Sequence, residues 1–121
     1  YSSTAYSTVV DLSAHVPLVY DQGDLDSCTE NAFCHSLLIQ KHVQSGHIGF
    51  YLSRLFYYYQ ELVVEHSVNS DDGDDEINGL SQTKAVGVCS ESMCPYIITK
   101  FSLTLSEKPY NTRLVVIVLY L

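Results

Sequence analysis

Basic residues are scarce in this chain: six Lys and Arg against fourteen Asp and Glu leave a net charge of −8. Nucleic acid and anionic membrane surfaces call for a basic face, so neither is expected as a partner. No apolar run approaches the length needed to span a bilayer. No basic-then-apolar leader is visible, and Tyr1 rather than Met opens the sequence, as expected of a processed or partial product. The compartment stays open. Zinc chemistry lacks its ligands, because Cys89 and Cys94 form a single Cys-x4-Cys pair with no second pair and no histidine at a supporting spacing. The four cysteines do not demand a disulfide: Cys34 reads as a small buried hydrophobe, and Cys89 and Cys94 as either a bridge or two free thiols. No cofactor is implied.

What is present suits a small globular fold. The 121 residues make one domain by the usual size prior. Such a length buries roughly two-thirds of its unfolded surface. A hydrophobic content of 46% and a mean hydropathy of +0.06 fit that class. Residues 1–9 form an irregular Ser/Thr/Tyr-rich lead-in, and Val16 to Tyr20 is an extended apolar segment ending at an Asp21-Gln22-Gly23 turn.

Helical spacing predicts a first helix from Cys28 to about Gln44, with Ala32, Leu37, Leu38 and Ile39 on or beside its core stripe and Gly46 as the stop. A second is expected from Ser53, as cap, to about Glu65, with Leu55, Phe56, Tyr59, Leu62 and Val63 packed inward. A third runs from Asp74 or Asp75 to Val86, closed by Gly87. Leu114 to Leu121 is a nearly unbroken apolar run, either a buried strand or an edge open to aggregation.

Chemistry concentrates between Asp21 and Ala32. Ser27 and Glu30 have capping-box spacing, which places Cys28 in the first helical turn. The free N–H groups and positive dipole end of that turn favour a thiolate. Gln22 precedes Cys28 on a glycine-hinged loop, and its amide could fold back to serve as an oxyanion donor.

Gln22-Gly23-x-x-x-Ser27-Cys28 resembles the glutamine-to-cysteine segment of papain-like cysteine peptidases. Val10-Asp11, Pro17 to Gln22, Ser53 to Tyr59, Gly73, Gly87 to Glu91 and Pro95-Tyr96 recur in the order of bacterial and large-virus members. The resemblance covers roughly Val9 to Tyr110 and implies an α+β papain-like fold, mainly its helical left-hand domain, truncated before most of the β-rich right-hand domain. Residues 1–110 would form that domain, and 111–121 an apolar tail without a family match. It further implies hydrolysis of peptide bonds through a thioester, with Cys28 as nucleophile, Gln22 and the Cys28 N–H as the oxyanion hole, and Asp72 and Gly73 on a loop that binds the substrate backbone. Two departures stand out. Leu25 occupies a position that secreted relatives give to a disulfide cysteine, and Asp26 occupies one usually held by glycine.

The family's catalytic His and Asn come from the right-hand domain, roughly 130–150 residues after the cysteine. No histidine here matches that motif, and His35, two helical turns beyond Cys28, is roughly 10 Å away by rise. The 121-residue chain alone is therefore not expected to cleave peptides at a papain-like rate. Its partners would be a peptide or protein substrate and the missing right-hand domain or a second chain. The rival reading is a non-catalytic remnant acting as a binding or inhibitory module. The acidic stretch Asn69 to Glu76 fails as an EF-hand, since Gly73 at the sixth position would put Val68 first and Gly79 twelfth. It reads as a solvated loop, with a cation-binding module as the remaining alternative.

Overall fold

The computed structural model describes residues 7–71 and 76–102. Its elements are three α-helices, α1 (Cys28–Ser45), α2 (Arg54–Glu65) and α3 (Glu76–Val86), with one 3₁₀ turn before α1 and another after α3. Among the described residues there is no strand, only an isolated antiparallel bridge between Leu52 and Ser90. Asp72, Gly73 and the tail from Leu114 to Leu121 lie outside the described residues.

The helix ends follow local chemistry. Gly46 turns left-handed at φ 75° and returns its N–H to His42 O at 2.9 Å, closing α1. Ser53 sits in extended backbone and its hydroxyl accepts from Phe56 N at 3.1 Å, a side-chain cap for α2. His66 closes that helix at φ 59°, and Ser67 N reaches back to Leu62 O at 2.9 Å. Gly87, at φ 86°, follows the last residue of α3.

The capping box at α1 does not form. Ser27 makes no side-chain cap bond, and its N–H donates instead to Leu25 O at 2.7 Å. The hydroxyl is engaged by Tyr96 and Asn31, which offer a fully buried group better-placed partners than the helix does.

Burial puts α2, and not the cysteine helix, at the centre. Every residue from Arg54 to Leu62 is buried, so α2 is enclosed on all sides and packs against both α1 and α3. On α1, buried positions are confined to Glu30, Asn31, Cys34 and Leu38. Leu37 and Ile39 are half-buried, while Ala32 is exposed. Val63 is also exposed, because the enclosed stretch of α2 ends one residue before it.

Two apolar clusters result. Leu25, Leu55, Phe56, Tyr58, Tyr59, Leu62, Cys89 and Cys94 form the larger, and Cys34, Leu52, Tyr57 and Val88 the smaller. Phe33 of α1 stacks on Tyr57 of α2 with centroids 4.9 Å apart, and Leu25 anchors the loop before α1 in the larger core. All four cysteines are free thiols, Cys28 exposed and the others buried. No helix among the described residues is long and apolar enough to cross a membrane.

Candidate active site

The site begins with a loop that folds on itself. Gly23 takes φ +64°, and Asp21 Oδ1 accepts from Gly23 N at 2.9 Å, an Asx turn that reverses the chain after Gln22. The half-buried Gln22 side chain then donates from Nε2 to Leu25 O at 3.0 Å. This bond fixes which end of the amide is the donor and leaves a second N–H on the same nitrogen. Cys28 follows at the first position of α1, exposed, with Thr29 Oγ1 at 4.0 Å from its sulfur. Among the described residues no acceptor meets the Cys28 backbone N–H. Sequence reasoning therefore placed Cys28 and Gln22 on one folded loop, although the Gln22 bond that is formed goes to Leu25 rather than towards the sulfur.

That loop is held from outside at several points by residues not singled out for the site from the sequence. Arg54, the first residue of α2, donates from Nη1 to Asp21 O at 3.3 Å and to Asn31 Oδ1 at 2.8 Å. Its Nη2 pairs with Glu91 Oε1 at 3.1 Å. Glu91 Oε2 accepts the Arg54 N–H at 3.2 Å, so a carboxylate also sits at the positive end of α2. The guanidinium lies between two aromatic rings, 4.1 Å from the Tyr20 centroid and 4.0 Å from that of Tyr96. A planar cation with forked donors suits this slot, where an ammonium could not stack and bridge at once.

The relay continues to the site. Asn31 Nδ2 donates to Ser27 O at 2.7 Å and to Ser27 Oγ at 3.1 Å. Tyr96 Oη donates to Gln22 O at 2.9 Å, so its single proton is used there and Ser27 Oγ donates to it in turn. Arg54, Asn31, Ser27, Tyr96 and Gln22 thus form one directional network, in which the buried Arg54 Nε is left without an acceptor. Pairing between 51–53 and 89–91 delivers the Glu91 end, with Ser53 N on Cys89 O at 2.9 Å and Glu91 N on Tyr51 O at 2.8 Å. The recurring segments Ser53 to Tyr59, Gly87 to Glu91 and Pro95-Tyr96 therefore meet around a single arginine. In sequence the first two read as a capped helix and a helix stop, and Pro95-Tyr96 only as a segment that recurs in the family.

Two of the buried thiols are shifted by their surroundings. Burial pushes the Cys34 thiol up, and a bond from Cys94 followed by burial does the same to Cys89. Burial likewise raises Tyr20. These groups are held neutral and take no part in nucleophilic chemistry.

All five histidines fall within the described residues, and none hydrogen-bonds to Cys28 Sγ. His42 Nδ1 lies 3.0 Å from His15 O, and the two rings meet edge to face at 5.2 Å. His35 packs near Tyr20 at 5.4 Å, while His47 and His66 are exposed. Beside the nucleophile, Thr29, Ala32, Phe33 and Ser36 of α1 face Tyr57 and Leu80 across a groove of about 230 Å³, which accounts for the exposure of Ala32.

Two known proteins are similar to this chain. A peptidase C1-like protein of Acanthamoeba polyphaga mimivirus, itself uncharacterized, is 37% identical over 81 residues, 67% of this chain and 26% of the viral protein. Xylellain, a cysteine protease from Xylella fastidiosa, has a crystal structure that superposes with a TM-score of 0.62 at 38% identity, over 67% of this chain and 30% of its own. The chain thus spans less than a third of the length of either relative. No family model matches it. Over about two thirds of its length, the chain is a relative of the papain-like cysteine peptidases in both sequence and fold.

Proposed function

We propose that this chain is the nucleophile-bearing part of a cysteine peptidase. The observation that carries this reading is the exposed Cys28 at the start of α1, preceded by a loop on which the Gln22 amide is locked to Leu25 O, with no acceptor on the Cys28 N–H among the described residues. Cys28 Sγ attacks the scissile carbonyl carbon, and the oxygen becomes an anion held by Gln22 Nε2–H and the Cys28 N–H. Collapse forms a thioester and expels the amine, which takes a proton from a histidine. Water then releases the acid and restores the thiol. That histidine comes from outside this sequence, since none of the five here reaches the sulfur. Asp72 and Gly73 bind the substrate backbone, and the groove from Thr29 to Leu80 receives a side chain. Alone, the chain does not turn over peptides at a papain-like rate.

A peptidyl epoxide that traps papain-like cysteines tests this, with imidazole added in place of the missing histidine and the products read by intact mass and peptide mapping. Selective labelling of Cys28 with Cys34, Cys89 and Cys94 untouched is the expected result. Absence of epoxide labelling, while iodoacetamide still reaches Cys28, would sink the reading. The second reading, a binding or inhibitory module without catalysis, would then take its place. It is favoured by the exposed Asp26 carboxylate two residues before the sulfur. Cys28-dependent cleavage by the purified 121-residue chain would instead show that a base is present after all.

A further inference from the structure

We infer that Asp71 is a positioning residue for the nucleophile, a clamp joining the segment after α2 to the loop that carries Cys28. Its carboxylate accepts the Asp26 backbone N–H with both oxygens, at 3.0 and 3.2 Å, across 45 residues of chain. Its Oδ1 also accepts the hydroxyl of Tyr58, a residue of α2 with 0% exposure. The fully enclosed helix therefore grips the carboxylate, and the carboxylate grips the loop two residues before Cys28. Charge-assisted bonds of this kind are about twice as strong as neutral ones, and the carboxylate accepts all of them without leaving an orphan donor.

The placement assigns the role. Arg54 and Tyr96 hold the Gln22 end of the loop through Asp21 O and Gln22 O. Neither hydrogen-bonds to the stretch from Asp24 to Asp26, where Leu25 is buried in the larger core and Asp71 holds the Asp26 backbone. Holding Asp26 fixes the approach of the chain into α1 and hence the direction of the Cys28 N–H, one of the two proposed oxyanion donors. The inference rests on the peptidase reading for its catalytic meaning, and on geometry alone for the clamp.

The experiment uses the 121-residue chain and the variants Asp71→Ala and Asp71→Asn. Amide exchange of Asp26 is followed by NMR, and Cys28 labelling by iodoacetamide and by the peptidyl epoxide, the latter with imidazole added in place of the missing histidine, is followed by mass. In Asp71→Ala the Asp26 amide is expected to exchange about tenfold faster. Epoxide labelling is expected to slow about tenfold, while iodoacetamide, which reads exposure and not orientation, stays within about twofold. Asp71→Asn keeps an acceptor oxygen and restores most of both losses. Protection of Cys34, Cys89 and Cys94 confirms that each variant is folded. An Asp26 amide unchanged in Asp71→Ala overturns the clamp. Faster exchange with unchanged epoxide labelling, or equal slowing of both reagents, overturns the positioning role. A wild-type chain that resists the epoxide would refute the peptidase reading and the positioning role together, with amide exchange still deciding the clamp.

Discussion

A side chain at position 23 would be built on backbone at φ +64° and would set its Cβ 2.5 Å from Ile98 Cδ1. The first is a conformation that L-residues adopt at a cost, and the second needs the isoleucine to move. Gly23→Ala is expected to lose about 1–2 kcal/mol in urea unfolding, mostly from the backbone, since the end of Ile98 is free to swing aside. The glycine of the Gln-Gly pair is thus explained by its own turn. Ser27 carries the opposite lesson. Its spacing to Glu30 is that of a capping box, yet the hydroxyl serves Tyr96, a residue 69 positions away. Local pattern cannot register such a competitor.

At the level of elements, the helices were legible because periodicity and punctuation are local properties. The expected ends at Gly46, Ser53 and Gly87 coincide with real caps and left-handed turns. The relation between elements was not legible. Arg54 sits within a run read for its helical spacing, and its partners lie 33, 23 and 37 residues off. Nothing at position 54 announces them. Removing this side chain leaves Glu91 without its ion pair, strips donors from Asn31 and Asp21, and empties the slot between Tyr20 and Tyr96. Arg54→Ala is expected to cost about 3–5 kcal/mol in chemical denaturation. Arg54→Lys should recover only a minor part, because a point charge cannot bridge and stack as the guanidinium does. Full recovery by lysine would show that charge, and not planar geometry, is what the slot requires.

Across the whole molecule, the buried thiols make stability depend on pH in a defined direction. Cys34 and Cys89 are raised in the folded state, so above the free-thiol value of about 8.5 the unfolded chain loses protons that the folded chain keeps. Stability from this source is complete below that value and falls as pH rises through it and beyond. Thermal or urea unfolding should therefore show a flat profile from about pH 7 to 8 and a decline above about pH 8.5. Cys34→Ala should shallow the decline, and an unchanged slope in Cys34→Ala and Cys89→Ala would assign it to other groups.

The long reach of the network also imposes an order in time. Gln22 O is held by a hydroxyl 74 residues later, and Arg54 by a carboxylate 37 residues later. During synthesis the cysteine segment emerges first, while the loop before it has neither Tyr96 nor Glu91 to brace it. Contacts that close such long stretches of chain form late, since loop closure must be met before they contribute. The thiol is thus exposed to its surroundings well before its loop takes its working shape. Assembly of the nucleophile's surroundings is, in effect, a signal that the chain has been made as far as Tyr96.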